Sequence, residues 1–89
     1  MIKTTATISN KLGLHARASA KLTKLAGSYP CEVWMTKGGR RVNAKSIMGV
    51  MMLAAGLGAT VEIDVSGVGE LEAMAGLLAL IDDKFGEGE

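Results

Sequence analysis

The first thirty residues change their apolar spacing once, from a two-residue period to a helical one. Between Ile2 and Ser9 less polar even-numbered positions alternate with polar odd-numbered ones, which predicts a strand with one buried and one wet face. The run from Asn10 to Gly13 breaks this pattern. A helical stripe begins at Ala16, and Gly27 with Pro30 beyond it ends the predicted first helix; its apolar positions are Ala18, Leu22, Leu25 and Ala26.

Three more segments alternate in the same way as the first strand. Residues 31–36 and 41–44 flank the pair Gly38 and Gly39, which is a two-residue hairpin signal. Residues 61–66 alternate as well and predict a fourth strand. The sequence therefore predicts a hairpin of strands two and three, and a later separate strand.

The last helix is predicted to follow a turn over Gly67–Gly69. Glu70 and Glu72 fall in its first turn, where the helix dipole favours acidic residues. One apolar face is predicted from Leu71, Met74, Leu78, Ile81 and Phe85. The tail Gly86–Glu89 is expected to be frayed.

The second helix is expected to begin at Ser46, which can cap it, and to run to about Ala55, with Gly56 as its left-handed end. Its side chains are apolar around too much of the circumference for one face to hide them. With Val50, Leu53 and Ala54 pointing inward, the exposed or partly exposed residues are Ile47, Met48, Met51 and Met52. Exposed methionines are adaptable contacts for several partners; the alternative is a helix that is simply buried more deeply.

The resulting order is strand, helix, strand, strand, helix, strand, helix, in one domain over residues 1–89. Each helix must bury one stripe, and each strand has one polar face. The pattern therefore predicts an α+β fold of two layers, with three helices on one face of a four-stranded, mainly antiparallel sheet.

Bulk composition narrows the class of protein. With 48% hydrophobic and 21% charged residues and a net charge of +1, the chain is typical of a globular protein rather than a disordered or nucleic-acid-coating one. Cys31 is the only cysteine, which leaves no internal disulfide and favours a cytoplasmic location. We expect no metal site, no cofactor, no nucleic-acid partner and no membrane insertion, since ligand clusters, interleaved aromatics, a signal peptide and a long apolar span are all missing from the sequence.

The candidate for chemistry is His15, the only histidine, at the predicted start of the first helix. Unpaired N–H groups there favour a neutral imidazole and would also hold a phosphate dianion. Arg17 adds a planar donor fork suited to phosphoryl oxygens. A capping or surface histidine is the alternative for this residue alone, but the combination with Arg17 favours a phosphoryl acceptor.

Arg17, Lys21 and Lys24 fall on one stripe of the first helix. This stripe is either a solvated helix face or a basic docking face headed by His15. We expect Lys21 and Lys24 to contact acidic partners.

The chain resembles the HPr phosphocarrier family of the bacterial phosphoenolpyruvate-dependent phosphotransferase system. The resemblance rests on the run Asn10–Arg17 and on Asn43–Leu53, and it extends to the whole length and element order. It implies an open-faced β-sandwich in which His15 is phosphorylated on Nδ1 by enzyme I and passes the group to enzyme IIA proteins. Arg17 would stabilise the phosphate, and the partner surface would include Lys24, Ile47, Met48 and Met51.

The resemblance also implies how such a protein is used. A phosphocarrier is a substrate of other enzymes with no turnover of its own, and we expect a monomer. Ser46 matches a serine that a dedicated kinase phosphorylates in some members, although an N-cap is its simpler role. A regulatory module of a nitrogen-related or carbon-control branch, signalling through His15 and Ser46, is the alternative function.

One position departs from the family. Ala18 stands where proline is common; because proline early in a helix only pre-sets the backbone, we expect the helix start to survive.

Overall fold

Four antiparallel strands form one sheet with three helices on one of its faces. The computed structural model describes residues 1–88. In chain order the elements are β1 (Ile2–Thr7), α1 (Ala16–Gly27), β2 (Glu32–Lys37), β3 (Arg40–Asn43), α2 (Ile47–Met52), β4 (Thr60–Ser66) and α3 (Glu70–Asp82), with a 3-10 turn over Lys84–Gly86. The strands lie in the order β1-β4-β2-β3, and every neighbouring pair is antiparallel. The predicted element order and two-layer α+β architecture are confirmed. No helix within residues 1–88 has the length and apolar character needed to cross a bilayer.

The core lies between the sheet and the helices and is built from alternate strand positions. Val61, Ile63 and Val65 of β4 are fully buried, and Val33 and Met35 of β2 are 1% exposed. They join one apolar cluster with buried residues of the helices and the C-terminal turn, among them Leu22, Leu77 and Phe85. Burying a side chain of this size contributes about 1.5–3 kcal/mol. Burial of this cluster is therefore the main interaction that holds the helices on the sheet.

The opposite face of the sheet is less open than the alternation predicts. Asp64 is only 3% exposed, although its neighbours along β4 point into the core. Its carboxylate accepts a hydrogen bond from Arg41 at 3.0 Å, and the Arg41 guanidinium lies 4.3 Å from the centre of the Trp34 ring. A paired charge and an aromatic ring therefore cover the middle of this face.

The hairpin between β2 and β3 forms as predicted. Gly38 and Gly39 have φ of 55° and 82°, and Lys37 pairs directly with Arg40. Positive φ at both central residues is what a tight two-residue hairpin requires.

The second helix is shorter than predicted and ends differently. It covers Ile47–Met52 rather than continuing to Ala55, because the N–H groups of Leu53 and Ala54 bond three residues back and tighten the last turn. The left-handed residue is Ala54, with φ of 51°, and not Gly56. Ala54 is consequently exposed, contrary to the prediction, while Ala55 is buried.

The buried face of α3 is rotated from the predicted one. Its buried residues are Ala73, Met74, Leu77 and Ile81. Leu71 is 75% exposed, and Leu78 is only partly buried. At about 100° per residue, Leu78 lies about 100° and Leu71 about 120° around the helix from Leu77, outside the buried face. The prediction for Leu71 is wrong because α3 is apolar around most of its circumference, so its sequence does not define one stripe.

The chain after α3 folds back onto the body of the protein. Phe85 was expected on the helical face; it is fully buried, but it lies in the 3-10 turn beyond the end of α3, with φ of 55°. Predicted fraying of the tail is wrong for Gly86 and Glu87, since both donate their N–H groups to carbonyls three residues back and the Glu87 side chain is hydrogen bonded to residues near the start of α1. Glu89 lies outside the described residues.

Backbone hydrogen bonds join the loop before α1 to the loop after α2 and set the position where α1 begins. Leu14 donates its N–H to the Ala55 carbonyl at 2.8 Å, and Ile8 exchanges backbone hydrogen bonds with residues 58–59. Gly13 has φ of +65°, and a Cβ built there would lie 2.5 Å from the Ala55 oxygen. Only glycine fits this close approach in this conformation.

Gly13→Ala is expected to lower the free energy of unfolding by about 2 kcal/mol or more, since left-handed backbone costs about 1–2 kcal/mol and the methyl group would displace the Ala55 carbonyl. Gly27→Ala is the matched control, because among the described residues a Cβ built there meets nothing within 4 Å beyond its chain neighbours and its own helix backbone, and it is expected to change stability by at most about 1 kcal/mol, in the stabilising direction. Urea denaturation measures both. Equal stabilities for the two variants would contradict this role for Gly13.

Candidate functional site

His15 is the residue immediately before α1, at the N-cap position. Its backbone is extended, its carbonyl accepts the Ser19 N–H at 2.8 Å, and its side chain makes no capping bond. The Ser19 hydroxyl donates to the Leu14 carbonyl at 3.0 Å, which holds the peptide in front of His15. The backbone therefore fixes His15 at the start of the helix while leaving its ring free for other contacts.

The first turn of α1 suits an anion. It contains no acidic residue, and the first N–H groups of a helix have no partner within the helix. Such an end carries partial positive charge. Ala18 is fully buried in this turn, and α1 still begins at Ala16, so the expectation that the helix start survives without proline is confirmed.

An open cleft of about 580 Å³ lies beside His15. Its walls are Lys11, Leu12, His15, Ala16, Arg17, Lys21, Gly86 and Glu87. The structure thus brings His15, Arg17 and Lys21 together, whereas Lys24 lies along a separate apolar groove between α1 and α3. Among the described residues, three cations and one carboxylate line this cleft. The cleft therefore carries net positive charge, which favours an anionic ligand. Within residues 1–88 no cluster of three or more His, Cys, Asp or Glu residues is placed to hold a metal ion.

Lys21 makes a contact that the sequence did not indicate. Its Nζ donates to the Phe85 carbonyl at 2.6 Å. The ammonium is therefore held at the C-terminal turn, where it also lines the His15 cleft.

Glu87 is the site residue that sequence reasoning missed. One oxygen of its carboxylate, Oε2, lies 2.5 Å from His15 Nε2, and the other, Oε1, accepts from Asn10 Nδ2 at 3.0 Å. Donation by Asn10 is the main reason that the pKa of Glu87 lies below its usual range; the nearby His15 and Lys21 act in the same direction, and burial opposes them. The contact joins residues 72 positions apart, and no local pattern encodes such a pairing.

Asn10 connects this carboxylate to the loop before α1. It is fully buried, and its Nδ2 also donates to the Gly13 carbonyl at 2.8 Å. One amide therefore links the loop, the C-terminal turn and, through Glu87, the His15 ring.

A patch of exposed apolar side chains lies on α2, which packs against α1. Val50 and Leu53 are buried, as predicted, and the four remaining large side chains are exposed: Ile47 (40%), Met48 (67%), Met51 (38%) and Met52 (58%). We call these four the methionine patch. Their exposure excludes the alternative of a deeply buried helix and leaves an adaptable apolar surface.

Ser46 caps α2, as predicted. Its Oγ accepts the Gly49 N–H at 3.2 Å, and the residue is exposed. The hydroxyl is consequently both a structural cap and accessible from solvent, one residue before the methionine patch.

Comparison with known proteins agrees with this geometry. The family model described as "PTS HPr component phosphorylation site" matches residues 2–83. The chain belongs to the HPr phosphocarrier family. Over 89 residues it is 63% identical to the phosphocarrier protein HPr of Cupriavidus necator, with full coverage of both chains.

Solved HPr structures share the whole fold. The crystal structure of HPr-C-His from Thermoanaerobacter tengcongensis superposes with a TM-score of 0.95 at 42% identity, covering 98% of each chain. The HPr dimer from the same organism gives a TM-score of 0.79 at 42% identity, covering 98% of this chain and 100% of that one. The open-faced arrangement implied by the sequence resemblance is therefore the fold of an HPr phosphocarrier of the phosphotransferase system.

Proposed function

We propose that this chain accepts a phosphoryl group on His15 from phosphorylated enzyme I and passes it to enzyme IIA proteins. The observation that carries the proposal is the placement of His15 at the uncapped start of α1, in a cleft lined by Lys11, Arg17 and Lys21. A nucleophilic imidazole nitrogen and donors for phosphoryl oxygens are what a transient phosphohistidine needs.

Arg17 is proposed to hold the phosphoryl oxygens. It lines the cleft two residues after His15, in the first turn of α1. Its guanidinium is planar and always charged, so it can donate two parallel hydrogen bonds to a phosphoryl group.

The methionine patch, with Lys24, is proposed as the docking surface for donor and acceptor in turn. Apolar side chains on a short helix can repack against differently shaped partners, and cations speed the approach of acidic surfaces. We propose a monomer because the same surface must meet both partners. We also propose that the chain acts in the cytoplasm and has no turnover of its own.

The test is phosphorylation with enzyme I and radiolabelled phosphoenolpyruvate. We expect acid-labile label on the wild type and none on His15→Ala. Arg17→Ala is expected to accept phosphate about 100 times more slowly, the lower end of the usual effect of removing one donor to a developing anion. Lys3→Ala is the control: Lys3 lies on the sheet, where it forms an ion pair with Glu62 at 3.8 Å, and its loss is expected to leave the wild-type rate unchanged. An unlabelled wild type, or equal label on His15→Ala, would contradict the proposal.

A second candidate function is regulation through Ser46, supported by its exposure beside the methionine patch. We propose that a serine kinase and phosphorylase act on this hydroxyl. Phosphate at the N-cap would be favoured by the helix but would place about two negative charges next to the docking surface. This route would serve carbon control or a nitrogen-related branch.

Ser46→Asp is expected to weaken binding to enzyme I about tenfold relative to Ser46→Asn. Both side chains cap helices well, so the pair differs mainly in charge. Isothermal titration of each variant with enzyme I measures the effect. Equal affinities would count against a charge switch at this position.

A further inference from the structure

Glu87 is held against His15 by several contacts rather than by one. Phe85 is fully buried, and Lys21 fixes its carbonyl at 2.6 Å. Two residues later the Glu87 carboxylate is anchored by Asn10 and is only 12% exposed. The C-terminal turn thus delivers a carboxylate to the ring edge of His15 from a fixed direction.

This contact assigns the proton on the imidazole. A carboxylate is an acceptor only, so at 2.5 Å from Oε2 the Nε2 atom of His15 is the donor. A neutral ring with its proton on Nε2 carries its free lone pair on Nδ1. Among residues 1–88 no side chain or backbone group is hydrogen bonded to Nδ1.

We propose that Glu87 is a positioning residue for phosphoryl transfer. The Glu87 carboxylate keeps the His15 proton on Nε2 and leaves Nδ1 as the nucleophile. This inference rests on the function proposed above and deepens it. The carboxylate acts through the ring, as an orienting carboxylate does for a catalytic histidine.

The transfer step balances with a phosphorylated protein as the donor. The Nδ1 lone pair forms a bond to phosphorus, while the bond from phosphorus to the donor's leaving atom breaks and that atom keeps the electron pair. The ring gains positive charge and keeps its proton on Nε2. Glu87 offsets that charge, because a charge-assisted hydrogen bond strengthens as its donor becomes cationic.

A carboxylate in a phosphate-accepting cleft also repels the incoming anion. The cations that face Glu87 across the cleft are Lys11, Arg17 and Lys21, beside the titratable His15 ring, and Lys21 already contacts the same turn. Among the described residues that line the cleft, three cations outnumber the one carboxylate, which is bonded to the Nε2 edge and not to the Nδ1 edge. Phosphate can therefore be accepted on Nδ1 while Glu87 stays in place.

The test compares Glu87→Gln with Glu72→Gln, a control that makes the same charge change on the exposed start of α3. Glutamine at 87 can still accept from Asn10 but lacks the charge that offsets the ring. We expect Glu87→Gln to accept phosphate from enzyme I about tenfold more slowly, the loss of roughly 1.4 kcal/mol of transition-state stabilisation. Glu72→Gln is expected to keep the wild-type rate.

A second readout does not depend on turnover. With the imidazole labelled with nitrogen-15, the Nε2 proton of the wild type and of Glu72→Gln is expected to give a downfield NMR signal protected from solvent exchange. Glu87→Gln is expected to lose that protection. A structural role confined to the tail would leave the ring proton unchanged.

The outcomes separate the two proposals. If the wild type takes label and Glu87→Gln matches Glu72→Gln in rate and in the ring-proton signal, the role of Glu87 is overturned and the phosphocarrier function stands. If the wild type takes no label, both are overturned. A slower rate together with loss of the protected proton supports the positioning role.

Discussion

The position of the candidate site depends most on the contact between the loop before α1 and the turn after α2. Gly13 passes close to the Ala55 carbonyl in a left-handed conformation, and Leu14 donates to the same oxygen. Because His15 follows directly, its backbone position is set by this contact rather than by its own side chain. The same contact ties α2, with the methionine patch, to the start of α1.

The site balances opposite electrostatic demands with few groups. A helix start and three cations make the cleft suited to an anion, while one carboxylate from the far end of the chain binds the histidine ring. The buried side-chain amide of Asn10 donates to both the Gly13 carbonyl and Glu87. It therefore holds the loop before α1 and the carboxylate in place. Stability and the proposed chemistry therefore depend on the same few hydrogen bonds near residues 10–15, and a change to the loop is expected to disturb both.

Local pattern was enough to predict the elements and the residues of the α1 start. Strand alternation and the Gly38–Gly39 pair correctly predicted four strands and the hairpin, and the excess of apolar side chains on α2 correctly indicated an exposed patch. The strand order was not predicted. Errors came where tertiary contacts decide. Ala54 takes the left-handed role expected of Gly56, and Leu71 is exposed because α3 offers no single stripe.

The contact of Glu87 with His15 could not be predicted for a different reason. It spans 72 residues and follows from burial of Phe85, which pulls the end of the chain back onto α1. A tail of glycine and glutamate looks disordered by composition alone. Only the fold shows that one of its carboxylates reaches the candidate site.

In the proposed mechanism Glu87 holds one nitrogen of His15 and leaves the other to accept phosphate. The most direct measurement is phosphorus–nitrogen coupling by NMR in the phosphorylated chain, with the His15 ring labelled with nitrogen-15. The structure predicts that phosphorus couples directly to Nδ1 and that Nε2 carries the proton. Direct coupling of phosphorus to Nε2 would contradict the claim.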